Sequence, residues 1–398
     1  MRILQLDVEG YRSLRQVTWK PGCLNVMIGP NGSGKSNFLR LLQLIAFSAQ
    51  GRLGKHVQQA GGIDSLLWDG RAESLAIKIK TTPVDENRDV VRESLTYELQ
   101  LARVGRGSAF RVEHELLANY YRAEMGQAEQ PFKFLERSRS TARIFDERER
   151  SLVAPEELVA EEETLLSMAS GPFIANRIIP LFQQQLASWS VYHDLHVDQN
   201  AVIRQPAVAR PEKRVEPDGQ NLIPVLHTLY TEDRYFKADL NAAMRTAFGD
   251  DFEELVFPPA ADQKIQLRVR WKSLKREQPA ADLSDGTLRF LLLLTVLASP
   301  SPAPVIAIDE PETGLHPSML PIIAEYAVDA SRRSQVILTT HSPQFLDAFM
   351  DTKPLTTVVE WSGGETKLKT LAGDDLAYWL EDYSLGSLFK SGELEAME

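Results

Sequence analysis

The chain has 398 residues, 43% of them hydrophobic and 25% charged, and a formal net charge of −11. That is the balance of an ordinary globular protein with room for two or three core-bearing lobes; it indicates no long disordered tail and argues against a surface coated throughout in nucleic acid, leaving only a local basic groove to look for. A single cysteine, Cys23, excludes an internal disulfide and a cysteine-cluster metal site, fits a reducing cytoplasm, and reads as a small buried residue.

The opening MRILQLDVEGYRSL alternates apolar and polar residues where a signal peptide would present an apolar block, so no secretion is expected. Residues 3–9 and 14–20 read as strands about a turn, and 24–28 as a short apolar strand. It feeds Gly29-Pro30-Asn31-Gly32-Ser33-Gly34-Lys35-Ser36 and a helix over 35–47. In this pattern glycine-rich backbone amides wrap phosphate oxygens at a helix N-terminus, the lysine reaches the terminal phosphates and the serine binds magnesium. Residues 51–72 are rich in glycine and polar groups, and 74–80, 93–102 and 109–117 suggest an antiparallel meander, a β lobe.

From 123 to 195 the pattern turns helical and charged. Pro155-Glu156-Glu157-Leu158 resembles a helix start, and 173–189 carries apolar residues at helical spacing. Arg137, Arg139, Arg143, Arg148 and Arg150 interleave with Glu136, Asp146, Glu147 and Glu149, which predicts a solvated or salt-bridged helix. Residues 198–219, rich in proline and charge, read as an exposed linker, and 221–248 as one or two helices. In Lys264-Ile-Gln-Leu-Arg-Val-Arg-Trp-Lys272 a period of two puts Lys264, Arg268, Arg270 and Lys272 on one strand face, either a ribbon that tracks DNA phosphates or a solvated sheet face. The apolar run 290–298 is interrupted by Thr295 and falls short of the ~20 residues that span a bilayer, so it reads as a buried helix. From Leu283 onward helix and strand alternate as in a parallel α/β sheet. No internal repeat and no long heptad run is present.

The second half supplies three further motifs: Leu283-Ser284-Asp285-Gly286-Thr287, Val305-Ile306-Ala307-Ile308-Asp309-Glu310 and Thr339-Thr340-His341-Ser342. Asp309 and Glu310 close a strand at the sheet edge where ligands of open α/β folds bind. Asp309 suits a magnesium shell and Glu310 suits polarising a water; the alternative is pairing with lysines at a strand end. Ser284 and the amides that open the helix at Thr287 make a second anion-binding terminus, unnecessary if one phosphate loop sufficed, or else a plain helix cap by Ser284 or Asp285. A histidine after a strand, alone, reads as structural.

Taken in order, Gly29 to Ser36, Leu283 to Thr287, Ile308-Asp-Glu-Pro-Glu-Thr-Gly-Leu-His-Pro317 and Thr339 to Ser342 resemble the ABC-type ATPases of the RecF and SMC class, particularly the compact ATPases grouped loosely with AAA proteins. The motifs cover roughly 1–50 and 280–350, with Gly10-Tyr11-Arg12-Ser13-Leu14 matching the opening strand and turn; 221–257 is covered only faintly. The resemblance implies an α/β P-loop NTPase, an ABC-type ATPase head of mixed sheet, antiparallel β lobe and helical insert. It divides the chain into a first half of the head at 1–120, an insert and linker at 121–220, and a second half at 221–398. It implies ATP and Mg2+ as ligands and ATP hydrolysis as the activity, with Lys35, Glu310 and His341 catalytic and His341 the switch histidine at the γ-phosphate. Gly29, Pro30, Asn31, Gly32, Ser33, Gly34, Lys35, Ser36, Asn37 and Arg12 are the implied nucleotide contacts, and Ser36 and Asp309 the metal ligands. Ser284, Asp285 and Gly286 would cap the nucleotide of a second subunit, so that ATP glues a head-to-head homodimer. Asp285 stands where transporters usually have glycine, which puts a carboxylate near polyphosphate. His316 would shape the dimer-facing loop. The glutamine that senses metal and water is not assigned; Gln58 and Gln59, which precede Gly61-Gly62, are candidates.

The expected function is therefore an ATP-gated dimeric switch on DNA or on a nuclease-type partner, in DNA repair or in defence against phage and mobile elements. The alternatives are the ATPase subunit of a membrane transporter and an ATP-dependent assembly scaffold with little turnover. Glu312 to Pro317 and Gly10 to Ser13 resemble the first class more than a transporter. The insert lacks the paired cysteines of a zinc hook and the length of a condensin arm. After Phe349 the chain shows Asp374-Asp375 but no large cluster of carboxylates, so a nuclease or other effector is expected as a separate chain. A cytoplasmic location without membrane contact is expected.

Overall fold

The computed structural model describes residues 1–84, 93–105, 107–121, 131–139, 141–155, 159–168, 176–349, 352–371 and 384–392. Asp374 and Asp375, and Glu156, Glu157 and Leu158 of the expected helix start, lie outside the described residues. The chain folds as two compact units that it enters more than once. Residues 1–22, 29–189 and 357–370 form the first, and 23–28, 190–356 and 371–398 the second.

The first unit carries an eight-stranded antiparallel sheet in the order β2-β1-β4-β5-β6-β7-β8-β9, strands being numbered along the whole chain. Its members are β1 (Ile3–Tyr11), β2 (Leu14–Trp19), β4 (Ser74–Thr81), β5 (Glu93–Arg103), β6 (Phe110–Tyr121), β7 (Phe132–Ser138), β8 (Thr141–Asp146) and β9 (Ser151–Val153). In β4, Leu75, Ile77 and Ile79 are buried while Lys78 and Lys80 are half-exposed, the one-sided burial that a period of two produces. The covered face packs on α1 (Lys35–Ala49) and α4 (Ile178–Ala187): Trp19 meets Phe38 at 4.8 Å and Tyr97 meets Phe182 at 5.8 Å between ring centroids. The unit also holds α2 (Leu53–Gln59) and α3 (Leu165–Met168). Glu115 starts α3 from within the sheet, its carboxylate accepting the Leu165 and Leu166 amides at 2.6 and 2.9 Å and the Tyr97 hydroxyl at 3.0 Å. Burial pushes that carboxyl up from its ordinary range. The hairpin of β18 (Leu355–Ser362) and β19 (Glu365–Leu371) closes this unit through Thr366, whose amide donates to Ser13 O and whose hydroxyl donates to Ser33 O, both at 2.8 Å.

The helical expectation over 123–195 holds at α3 and α4 but is corrected over 132–153, which forms β7, β8 and β9. Arg137 explains the misreading. It takes an inward position on β7, buried, with its guanidinium donating to Glu163 O at 2.8 Å and Ala160 O at 3.2 Å, so a charge sits where the period requires an apolar residue.

The second unit is built on the parallel strands β10 (Ser190–Tyr192), β16 (Val305–Asp309), β17 (Gln335–Thr340) and β3 (Leu24–Ile28), adjacent in that order. All are buried along their length, as strands covered on both faces must be. Around them lie α5 (Leu222–Glu232), α6 (Arg234–Phe248), α7 (Asp285–Leu297), α8 (Leu320–Ser331), α9 (Pro343–Asp347) and α10 (Leu385–Ser391). Two small antiparallel pieces complete the unit: β12 (Phe252–Val256) with β14 (Arg268–Trp271) and β15 (Gln278–Pro279), and β11 (Ala207–Val208) with β13 (Lys264–Ile265).

Three expectations change here. The strand expected over 264–271 is broken at Gln266-Leu267, although Ile265, Leu267 and Val269 still point inward. The expected linker at 198–219 is partly structural, with Arg204 buried at the end of a 3-10 turn, Val202–Arg204. Cys23, expected to be buried, is exposed at the residue preceding β3.

Candidate nucleotide site

The phosphate loop is described within the first unit. Gly34 caps α1 with φ 112°, and a Cβ there would lie 2.1 Å from Thr366 Oγ1, so both the backbone conformation and the close hairpin demand glycine. Among the described residues no side chain caps α1 at Gly34, and the helix opens directly behind the loop, where its N-terminal dipole favours an anion. Lys35 is buried, with Nζ donating to Gly29 O at 2.7 Å and Pro30 O at 3.1 Å. Ser33 is 1% exposed and its Oγ has no hydrogen-bond partner among the described residues. An ammonium, an orphaned hydroxyl and a helix N-terminus suit a polyphosphate. Pro30, Asn31 and Gly32 are exposed and Ser36 is half-buried. Asn37 donates to Ser13 Oγ at 2.9 Å. Arg12, held at φ 46° with its amide on Leu66 O, lines an open cleft of about 660 Å³ with Ser13, Asn37, Trp68 and Trp361.

The carboxylates belong to the second unit. Parallel register sets Tyr192 beside Ile308 and Asp309 beside Thr339, so three strand ends deliver their next residues to one place. Asp309 Oδ1 accepts the Thr339 hydroxyl, and His193 Nδ1 lies 2.6 Å from Asp309 Oδ2. Glu310 is left-handed at φ 45°; its amide donates to Thr339 O at 3.2 Å and its carbonyl accepts from Arg289 at 3.0 Å. His341 Nδ1 stands 3.0 Å from Glu310 Oε1. Glu312 accepts the Thr340 hydroxyl, and burial raises its pKa. Burial lowers that of Arg289, against the opposing pull of Glu312, Glu310 and Asp309. His193, Arg289, Asp309, Glu310 and Thr313 line a cleft of about 210 Å³. Chemically, Asp309 presents hard oxygens for a divalent cation, and Glu310 is a carboxylate able to take a proton from water. Among the described residues no group of three or more His, Cys, Asp or Glu side chains is arranged to hold a metal.

At the start of α7, Ser284 is the N-cap, accepting the Thr287 amide at 3.1 Å. Gly286 is required by proximity, since a Cβ would lie 2.6 Å from Gly314 O. The Asp285 carboxylate is paired with the Arg204 guanidinium, which also donates to Leu283 O at 2.7 Å and to Val197 O and Asp198 O at 2.8 Å. The charge expected to face polyphosphate therefore has a buried partner. His316 accepts the Ser318 amide at 3.3 Å as a local cap. Gln58 and Gln59 are exposed at the end of α2.

The second unit thus brings Asp309, Glu310 and His341 together, and the first brings Arg12 and Asn37 to one cleft beside the residues of the loop. Three residues escaped sequence reasoning. Arg289 had a signal, a lone charge in the apolar run from Leu288 to Leu294. Arg204 was hidden in a segment that its prolines and charges mark as a linker, and His193 by a strand of only three residues.

The arrangement is that of an ABC-type, RecF/SMC-like ATPase head with a P-loop NTPase fold. The fold is shared by the SMC head bound to the C-terminal winged-helix domain of ScpA (TM-score 0.57, 16% identity, 95% of this chain and 100% of that one). It is shared also by an SMC head with extended coiled coil bound to the C-terminal domain of ScpA from Pyrococcus furiosus (TM-score 0.55, 14% identity, 96% and 98%). A family described as "AAA domain, putative AbiEii toxin, Type IV TA system" matches residues 24–347, and the chain belongs to it. The chain is also similar to the DNA repair protein RecN of Synechocystis, 28% identical over 151 residues. That similarity covers 37% of this chain and 23% of RecN, so the chain spans about a quarter of that relative's length. No helix of the described residues is long and apolar enough to cross a membrane.

Proposed function

We propose that the chain hydrolyses ATP and that two copies close head to head around ATP and Mg2+, forming a switch that acts on DNA or on a nuclease-type partner. The observation that carries this reading is a second helix start with a glycine held close: α1 opens behind the phosphate loop, and α7 opens at Ser284, which caps it through the Thr287 amide, with Gly286 packed tightly against Gly314. One triphosphate is served by one loop, so we take this second helix start to be of use when another copy supplies the nucleotide. Lys35 and the loop amides hold the phosphates, Glu310 accepts the proton of the attacking water, and His341 holds the Glu310 carboxylate in place. Ser36 and Asp309 are the residues assigned to magnesium, which would neutralise charge on the transferred phosphoryl group. The similarity to the DNA repair protein RecN supports a role in DNA repair; defence against mobile elements is the other setting proposed for the same switch.

Sedimentation with and without ATP tests the switch. Glu310→Gln is expected to bind ATP and accumulate as a dimer, while Lys35→Ala and Ser284→Arg stay monomeric. One sedimentation profile for all three variants, with or without ATP, would sink the model. Turnover measured with and without duplex DNA, at low and at physiological salt, separates the targets: stimulation assigns DNA, and indifference assigns a protein partner.

A further inference from the structure

The three residues of β10 bring a histidine to the acidic strand ends. Ser190, Val191 and Tyr192 pair in register with Ile306, Ala307 and Ile308, so His193 arrives beside Asp309. The two side chains are 16% and 10% exposed and approach to 2.6 Å, Nδ1 to Oδ2. Asp309 Oδ1 is engaged separately by the Thr339 hydroxyl. The carboxylate therefore has a close neighbour at each oxygen, Nδ1 as an ion-pair contact and the Thr339 hydroxyl as a hydrogen bond, from the strands on either side of its own. Arg289, in the same cleft, reaches the Glu310 carbonyl.

We propose that His193 is a positioning residue of the divalent-cation site, holding the Asp309 carboxylate through Nδ1 in the orientation that receives the cation with its nucleotide. The inference rests on the assignment of Asp309 to magnesium made above. Outer partners of this kind fix a ligand's orientation before the ion arrives, and their removal lowers metal affinity by about 10–100-fold.

The test uses the full chain saturated with a non-hydrolysable ATP analogue and titrated with Mn2+, the free ion being followed by electron paramagnetic resonance. His193→Ala is expected to weaken Mn2+ binding about tenfold or more. His193→Gln, which keeps a side-chain N–H, should recover most of it. Analogue binding in EDTA, read by tryptophan fluorescence, should be equal in all three proteins. Mn2+ affinities agreeing within about threefold would overturn the His193 assignment and leave that of Asp309 standing. Loss of analogue binding in EDTA by both variants would mark a merely structural residue and overturn it as well. Failure of the unsubstituted chain to bind Mn2+ with the analogue would overturn the Asp309 assignment, and His193 with it.

Discussion

A left-handed backbone costs a non-glycine residue on the order of 1–3 kcal/mol, and Glu310 adopts one at φ 45°. Its amide on Thr339, its carbonyl on Arg289 and its carboxylate on His341 together hold the strained turn. His56 carries a burden of a different kind. Packed 4.8 Å from the Phe47 ring, its imidazole is pushed down to about 4 by burial first, then by the charges of Arg12 and Arg52. The unfolded imidazole titrates near 6.5, so the unfolded chain takes up this proton first as the pH falls. The stability involved is fully present above pH 6.5 and is lost as the pH falls through 4, by roughly 2–3 kcal/mol. Urea unfolding from pH 7 to pH 4 should show that loss, and His56→Gln should show a correspondingly flatter profile. Identical pH profiles for the two proteins would refute the assignment.

Elements whose periodicity follows burial were legible in the sequence. Residues 74–80 and 93–102 alternate cleanly and appear as β4 and β5, and Val305–Asp309 and Gln335–Thr340 are strands with apolar centres bounded by their motifs. The phosphate loop and the Asp309-Glu310 pair were legible for the same reason, since each follows directly on such a strand. Where a charge is satisfied inside the fold the pattern fails, as with Arg137 on β7 and with Arg204 under the start of α7. β10 was invisible because three residues acquire strand character only from Ile306, Ala307 and Ile308 beside them. Arg204 also makes a prediction at this scale. Its side chain is 5% exposed, and it ties Asp285 to the Val197 and Asp198 carbonyls. Arg204→Met and Asp285→Asn should each destabilise the chain, and the double variant should lose less than their sum, with a coupling of about 1–3 kcal/mol. Strict additivity in denaturant titrations would mean that the pair is not coupled.

For the molecule as a whole, a net charge of −11 confines nucleic-acid contact to local cations. On the interrupted strand, Arg270 is already held by Glu254 and Glu277, whereas Lys272 is exposed and Lys264 half-exposed. If the chain binds duplex DNA along this edge, Lys264→Ala with Lys272→Ala should reduce the slope of log affinity against log salt by about 2, and an unchanged slope would remove the strand as a DNA surface. The order in which the parts are made also matters. Thr366, which donates to Ser33 O behind the phosphate loop, lies 333 residues further along the chain. During synthesis from the N-terminus the loop therefore emerges first and waits for those residues before its backing hairpin exists. A chain cut short on the ribosome before Thr366 would therefore present the phosphate loop without its backing hairpin.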